Sequence, residues 1–415
     1  MTLISSRYEN DGNPVERLSD IQRKYIDIFN NKCENKEYLY RQLECECGCD
    51  DFEVIAQKDR YGIPVSTVIC RNCGLIITNP CLDDNSNNSF YDNEYPFIYR
   101  AEEKPSEEMF IDGKKYAEKI VSFIRRYSQI QCGKVLEIGC ADGRNVAAFA
   151  EKGYDACGID LSHTYVEFGK NKGLNLFCTD STSFEKRGLK YDIIVLNHVL
   201  EHFTNLGREL GVIRRMLKPD GCLYIGVPGI KVLTFGAYES DFLKMLQNAH
   251  IYNFSRESLC NVMKKYGFDC IRCDEFIHGI FKKGKSEISF DNVYEDTIEY
   301  LNKVENAKGE NLGLLIDRIR KIIASYGSKE VLLYGTVREL DVITQDVDSV
   351  GAIKGFFYSD VKTPIEVVNY IKSSKGEIKS LVIADYNQND GLVDEIKELT
   401  GSVEVELYSA YNEVF

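Results

Sequence analysis

The sequence predicts an α/β protein. Its centre is a doubly wound, mostly parallel sheet, preceded by a small cysteine-rich module and followed by a second α/β domain. Three observations predict this. Apolar strand-like runs alternate with helical runs from Val135 to Val227, the pattern that parallel strands and their crossover helices require. The first of those runs, Val135–Ile138, breaks into a turn with small residues at Gly139, Ala141 and Gly143 before a helix begins. Upstream stand two close cysteine pairs, within Cys45-Glu46-Cys47 and Cys70-Arg71-Asn72-Cys73.

A chain of 415 residues is too long for one ordinary domain. Its 44% hydrophobic and 28% charged residues fit a soluble globular enzyme. No apolar run is long enough to span a membrane, and Met1–Tyr8 lacks an apolar signal core. A cytoplasmic location is expected, with no membrane partner. The 15 cysteines are then expected as thiols or metal ligands rather than disulfides. The net charge of −14 is uneven: residues 287–415 carry 24 acidic and 13 basic side chains, and residues 41–100 carry 10 and 5. Neither region offers the basic footprint that nucleic acid needs.

Residues 14–43 read as a charged helical segment, and Cys45–Pro80 as strands between cysteines. A polar loop, Asp83–Asn88, leads to a helix over Glu107–Tyr127. In the core, strands are expected at Val135–Ile138, Asp155–Asp160, Leu174–Cys178, Tyr191–Asn197 and Cys222–Val227. Helices are expected at Arg144–Lys152, Thr164–Lys170 and Glu209–Leu217. The polar run Lys282–Ser286 reads as a linker. Beyond it, Glu295–Ala307 and Leu312–Tyr326 read as helices, and Val331–Tyr334, Ile353–Tyr358 and Ser380–Ala384 as strands. The domains are drawn at 1–44, 45–100, 101–285 and 286–415.

The core motif carries chemistry. A strand, a small-residue turn and a helix bring backbone amides close to a ligand. Asp160 ends the next strand, where an acid typically accepts both ribose hydroxyls. Asp180 ends the third and is placed to meet an adenine amino group. Glu137 lies inside the first strand, where dinucleotide folds usually carry an apolar residue. A carboxylate there suits an ammonium or sulfonium charge better than a pyrophosphate.

This pattern resembles the class I S-adenosylmethionine-dependent methyltransferases. The resemblance implies a Rossmann-like core that binds S-adenosylmethionine through Glu137, Gly139, Ala141, Gly143, Asp160, Asp180 and Asn197. Ala141 replaces a frequent middle glycine. Val199-Leu200-Glu201-His202 and Leu217-Lys218-Pro219-Asp220-Gly221 are similar to stretches of small-molecule methyltransferases, which sets His202 near the transferred methyl.

Two thiol pairs about 22 residues apart have the spacing of a tetrahedral structural zinc. Cys45, Cys47, Cys70 and Cys73 are the expected ligands, with Cys49 as a substitute. Zinc module, core and α/β tail together resemble bacterial methyltransferases of sugar and surface-glycan pathways, the nucleotide-sugar C-methyltransferases among them. The resemblance implies a sugar or nucleotide-sugar acceptor in surface or flagellar glycan biosynthesis. It also implies that His250 is a general base, with His202 in reserve. Phe254-Ser255 match that family's ending, but Gln247, Ala249 and Asn253 replace its tyrosine, glutamate and second tyrosine. O-, N- and C-methylation therefore stay open. The aromatic stretches Phe90–Tyr99 and Phe356–Tyr358 are candidates for stacking on sugar faces, and Arg338 for a phosphate contact. Self-association is allowed for. Methylation of RNA or protein, and a cofactor-binding assembly protein without turnover, remain alternatives.

Overall fold

A computed structural model describes residues 3–100, 104–286, 289–308, 331–335, 355–358, 370, 373, 380–384 and 404–407. The chain divides into two compact units, Met1–Val232 with Leu243–Glu299, and Leu233–Phe242 with Tyr300–Phe415.

The first unit opens with α1 (Asp20–Glu34), started by a capping box in which Ser19 and Gln22 bond reciprocally. The helical reading of 14–43 thus shrinks to this capped span. Strand β1 (Tyr40–Arg41) pairs with β5 (Cys81–Leu82). Between them, β2 (Phe52–Lys58), β3 (Pro64–Cys70) and β4 (Ile76–Thr78) form an antiparallel sheet. Then α2 (Asp84–Asn93) and α3 (Glu107–Ser128) follow. Ser106 caps α3 by accepting from Met109 N, and Ala117, Ile120, Val121 and Ile124 form its buried face.

The core sheet contains β6 (Lys134–Ile138), β7 (Asp155–Asp160), β8 (Leu176–Cys178), β9 (Tyr191–Asn197) and β10 (Leu217–Gly226), all parallel. The crossovers are α4 (Arg144–Glu151), α5 (His163–Asn171), α6 (Ser181–Glu185) and α7 (Leu206–Met216). Ile193–Leu196 are wholly buried, as a central parallel strand covered on both faces requires. After α8 (Phe242–Met245), β11 (Tyr252–Asn253) leaves this sheet and pairs antiparallel with β4. Helix α9 (Arg256–Lys265) is capped by Ser255. Strands β12 (Phe268–Cys273) and β13 (His278–Lys283) then complete the order β12-β13-β10-β9-β6-β7-β8, with β13 antiparallel to both neighbours.

Lys282 and Lys283, read as linker, belong to β13. Lys282 pairs with Cys222 and Asp269, and Lys283 Nζ donates to the Leu217 carbonyl at 2.6 Å. Their polarity marks a strand end, where long stems lie on the sheet and charged heads reach out. Hairpin β12–β13 escapes the sequence reading because four residues of β12 are exposed, leaving no apolar alternation.

In the second unit, β14 (Val331–Gly335) lies between β15 (Gly355–Tyr358) and β16 (Ser380–Ala384), and β16 pairs with β17 (Glu404–Leu407). All three pairings are parallel. Residues 294–308 are helical, where Glu295–Ala307 was expected. The helix expected at Leu312–Tyr326, Arg338 and the side chains of Phe356–Tyr358 lie outside the described residues. Among the described residues, no helix is long and apolar enough to cross a membrane.

Candidate active site and cysteine cluster

The turn after β6 is built from left-handed backbone at alternate residues, with φ of 71° at Gly139, 45° at Ala141 and 80° at Gly143. Glycine is required at the first: a Cβ on Gly139 would meet Val199 Cγ2 at 2.4 Å. The Val199 side chain, beyond β9, is therefore pressed against the turn. Gly143 caps α4, whose amino end opens toward the same edge.

Glu137 is 2% exposed. Its Oε1 accepts from Asn145 Nδ2 at 2.5 Å, while its Oε2 is buried without a hydrogen-bond partner. Burial is the main force that pushes this carboxyl up to about 8; Asn145 opposes it, and the Asp142 and Asp160 charges add to it. On the adjacent strand, Asn197 Oδ1 is also buried and unpartnered. Glu137 pairs with Val195, and Asn197 lies two residues beyond, so both project from one sheet face.

Asp160 ends β7. Its Oδ2 accepts from Ala141 N and its Oδ1 from Ser162 N, each at 2.8 Å. The turn and the second-strand acid are thereby locked together. Asp180 is exposed at the end of β8 and caps α6, with Oδ1 accepting from Ser183 N at 2.8 Å. Burial opposes ionisation there, but the amide and hydroxyl of Ser183 outweigh it and lower the pKa.

Past β9, His198 has φ 56° and its N–H donates to the Gly226 carbonyl at 2.7 Å. A single helical turn, Leu200–His202, follows. It brings Glu201, His202 and His250 together, with one ligating atom from each within 4.8 Å of the others. His202 Nδ1 lies 2.9 Å from the Ala249 carbonyl and 2.7 Å from Tyr91 Oη. The His250 ring stands edge-on to His202, centroids 4.8 Å apart. It is 5% exposed, and burial together with the His202 charge pushes it down to about 3. Burial of Glu201 disfavours its charge, but His198, 3.6 Å away, and the neighbouring imidazoles outweigh this and lower its pKa.

Strand β4 fixes the His250 segment. Thr78 N donates to the Ile251 carbonyl and Thr78 Oγ1 to the His250 carbonyl, both at 2.8 Å; Ile251 N in turn donates to the Glu201 carbonyl at 2.8 Å. Tyr91 and Tyr95 stack 4.5 Å apart, and each presents its ring to the edge of His202. Phe90, by contrast, is wholly buried in the core.

Cys45, Cys47, Cys70 and Cys73 converge, with Sγ atoms 3.4 Å apart for Cys45 and Cys73 and 3.6 Å for Cys47 and Cys70. A tetrahedral ion with Zn–S bonds of about 2.3 Å needs sulfurs about 3.8 Å apart, so the four fit one. Hydrogen bonds from the Cys45 and Cys73 thiols lower the pKa of Cys70, favouring there the thiolate form that a metal takes. Gly74 follows the second pair at φ 74°, and a Cβ there would strike the backbone of Val293 and Tyr294 at 2.7 Å. Cys49 stands outside the quartet, its sulfur accepting from Asp51 N at 3.4 Å.

Sequence reasoning assigns no role to Asn145 or Glu201, and reaches Tyr91 only within the Phe90–Tyr99 stretch proposed to stack on sugars. Asn145 is an ordinary first-turn helix residue until β6 places Glu137 beneath it. Glu201 was legible only as one letter of a motif, and Tyr91 as part of an aromatic run.

Residues 112–272 match a family described as a methyltransferase domain. A ubiquinone biosynthesis O-methyltransferase of Bartonella tribocorum is 28% identical over 98 residues, 22% of this chain and 40% of that protein. One of Saccharophagus degradans is 27% identical over 161 residues, 36% and 68% respectively. A third, of Coxiella burnetii, is 26% identical over 110 residues, 25% of this chain and 47% of its own length. The chain thus spans about half the length of the curated relatives it matches. Among solved structures, the 1,6-didemethyltoxoflavin-N1-methyltransferase of Burkholderia thailandensis is 14% identical, with a TM-score of 0.35 over 51% of this chain and 96% of that one. A sugar N-methyltransferase from Streptoalloteichus sp is 14% identical, with a TM-score of 0.34 over 45% and 95%. The core is an α/β, Rossmann-like fold whose residues 112–272 match a methyltransferase domain.

Proposed function

We propose that the protein transfers a methyl group from S-adenosylmethionine to a hydroxyl of a sugar, carried as a nucleotide-sugar or glycan precursor. The observation that carries the cofactor half is the pair of buried acceptors, Glu137 Oε2 and Asn197 Oδ1, with no donor in reach. Buried acceptors left without a donor cost on the order of 1–3 kcal/mol each. A methionine ammonium supplies the missing donors. The cofactor, when bound, contributes an electrophilic methyl on a sulfonium sulfur. Glu137 and Asn197 hold the amino-acid part, and the turn from Gly139 to Gly143 lets the backbone approach it. Asp160 accepts the ribose hydroxyls on the lone pairs its two amide bonds leave free.

The acceptor half rests on the Glu201–His202–His250 cluster. His202 takes the leading role over His250. The Ala249 carbonyl is an acceptor only, so His202 Nδ1 carries the hydrogen and Nε2 is left to receive a proton from the acceptor hydroxyl. His250 is more deeply buried, and its low pKa makes it a weak base; it positions its neighbour. The paired faces of Tyr91 and Tyr95 beside this cluster suit a sugar ring. The curated relatives are O-methyltransferases, which favours oxygen as the accepting atom. Zinc on the four cysteines would tie the module that holds His250 in place.

Calorimetry with S-adenosylhomocysteine tests the core of this reading. Binding is expected, with a loss of about a hundredfold or more, roughly 3 kcal/mol, in Asp160→Ala. Unchanged affinity in that variant would overturn the cofactor assignment.

A further inference from the structure

Glu201 is a buried acid that its surroundings leave unsatisfied. It is 1% exposed, and neither of its oxygens has a hydrogen-bond partner. A buried carboxylate without donors is expensive unless it is paired or coordinates a metal. The nearest cationic candidates do not satisfy it: His198 Nδ1 and His202 Nε2 lie 3.6 and 3.9 Å from Oε1, beyond hydrogen-bond range.

The groups around it form a donor set. With the hydrogen of His202 Nδ1 directed at the Ala249 carbonyl, Nε2 lies on the Glu201 side of the ring, 3.9 Å from Oε1. A backbone carbonyl on one ring nitrogen is what orients the other nitrogen of a metal-bound histidine. The His250 ring completes the group, and its backbone is fixed by Thr78 and Gln247. Two imidazole nitrogens and one carboxylate oxygen suit zinc and its neighbours among the divalent transition metals, with coordination positions to spare. Bonds of about 2.0–2.2 Å would draw the three ligand atoms closer by about an ångström, within reach of side-chain rotation. Arg60, the cation that bears on His250, is held away over the rings of Tyr61 and Tyr99, with a hydrogen bond to Tyr61 Oη at 3.0 Å.

We propose that Glu201, His202 and His250 bind a divalent transition-metal ion, separate from the cysteine cluster, whose open positions receive the acceptor hydroxyl. The inference rests on reading this cluster as the acceptor end of the site. It changes the chemistry there: with the ion bound, His202 would be a ligand rather than the base, the metal would lower the pKa of the hydroxyl it holds, and the proton would leave to solvent water as the oxygen takes the methyl and S-adenosylhomocysteine departs.

The test uses the full chain after one equivalent of zinc has filled the cysteines. Titration with Co²⁺ is followed by calorimetry and visible absorption. A second ion per chain is expected, with no thiolate-to-cobalt charge-transfer band. Glu201→Gln and His250→Gln should each weaken Co²⁺ binding about tenfold or more, while keeping the first zinc. Should Glu201→Gln fail to fold, His202→Gln at the partly exposed ligand takes its place. No second ion, a thiolate spectrum, or unchanged affinity in the variants would overturn the proposal. S-adenosylhomocysteine affinity is read on the same samples. Its absence in the wild type would remove the cofactor assignment and leave the metal result standing.

Discussion

Glu137 shows how one buried carboxyl links stability to binding. Burial raises its pKa from 4.5 to about 8. Below 4.5 the folded and unfolded chains both hold the proton. As pH rises from there through 8, the unfolded chain ionises first, so the ligand-free protein loses stability across that window. A cationic ligand reverses the preference, because it favours the carboxylate. Binding of S-adenosylhomocysteine, which retains the ammonium, should therefore expel a proton at pH 7. Calorimetry in buffers of different ionisation enthalpy measures this directly, and Glu137→Gln should abolish the release and weaken binding about tenfold. Ala141 carries strain of a different kind. Its φ of 45° is one that glycine adopts at no cost, which explains why this middle position is so often glycine in the proteins this turn resembles.

Among the elements, the short pairing of β4 with β11 does more than its two registered pairs suggest. Thr78 bonds the His250 carbonyl and Ile251, and Ile251 bonds Glu201, so one strand of the cysteine module holds both arms of the cluster. Thr78→Val should cost about 1 kcal/mol through the lost side-chain bond. Turnover should fall more than cofactor affinity, a split that steady-state kinetics beside calorimetry resolves. The core strands and helices were legible in the sequence because β7 and β9 are apolar runs bounded by turn residues, and α3 carries one clear apolar stripe. The turn after β6 was legible because glycine spacing reports backbone geometry. Residue contacts made across the chain were not. Nothing local in Thr78, Ile251 or Glu201 says that they meet, and β12 hides its identity behind exposed polar residues. The cysteine quartet was readable from spacing alone, since two knuckles on a hairpin converge whatever else the chain does.

For the molecule as a whole, the cysteine module and the methyltransferase core, apart from Leu233–Phe242, fall within one compact unit. Metal analysis should find at least about one zinc per chain. Cys70→Ser and Cys73→Ser should lose that zinc, lower the melting temperature and weaken turnover together, because the same sheet carries the ligands and the His250 segment. A metal-free protein of wild-type stability would refute the zinc assignment. The joining of Thr78 to His250 spans 172 residues of sequence, and this bears on how the chain is made. Domains generally form as they leave the ribosome, amino end first. Strand β4, with Ile76, Ile77 and Thr78 all buried in the finished protein, must wait for the 250–253 segment to be synthesised. Until then it is an unpaired apolar edge, the kind of surface on which nascent chains join to one another. A metal ion taken up early by the cysteines would keep that edge in shape during the wait, so zinc supply during growth should govern the yield of soluble protein before it governs the rate of any reaction.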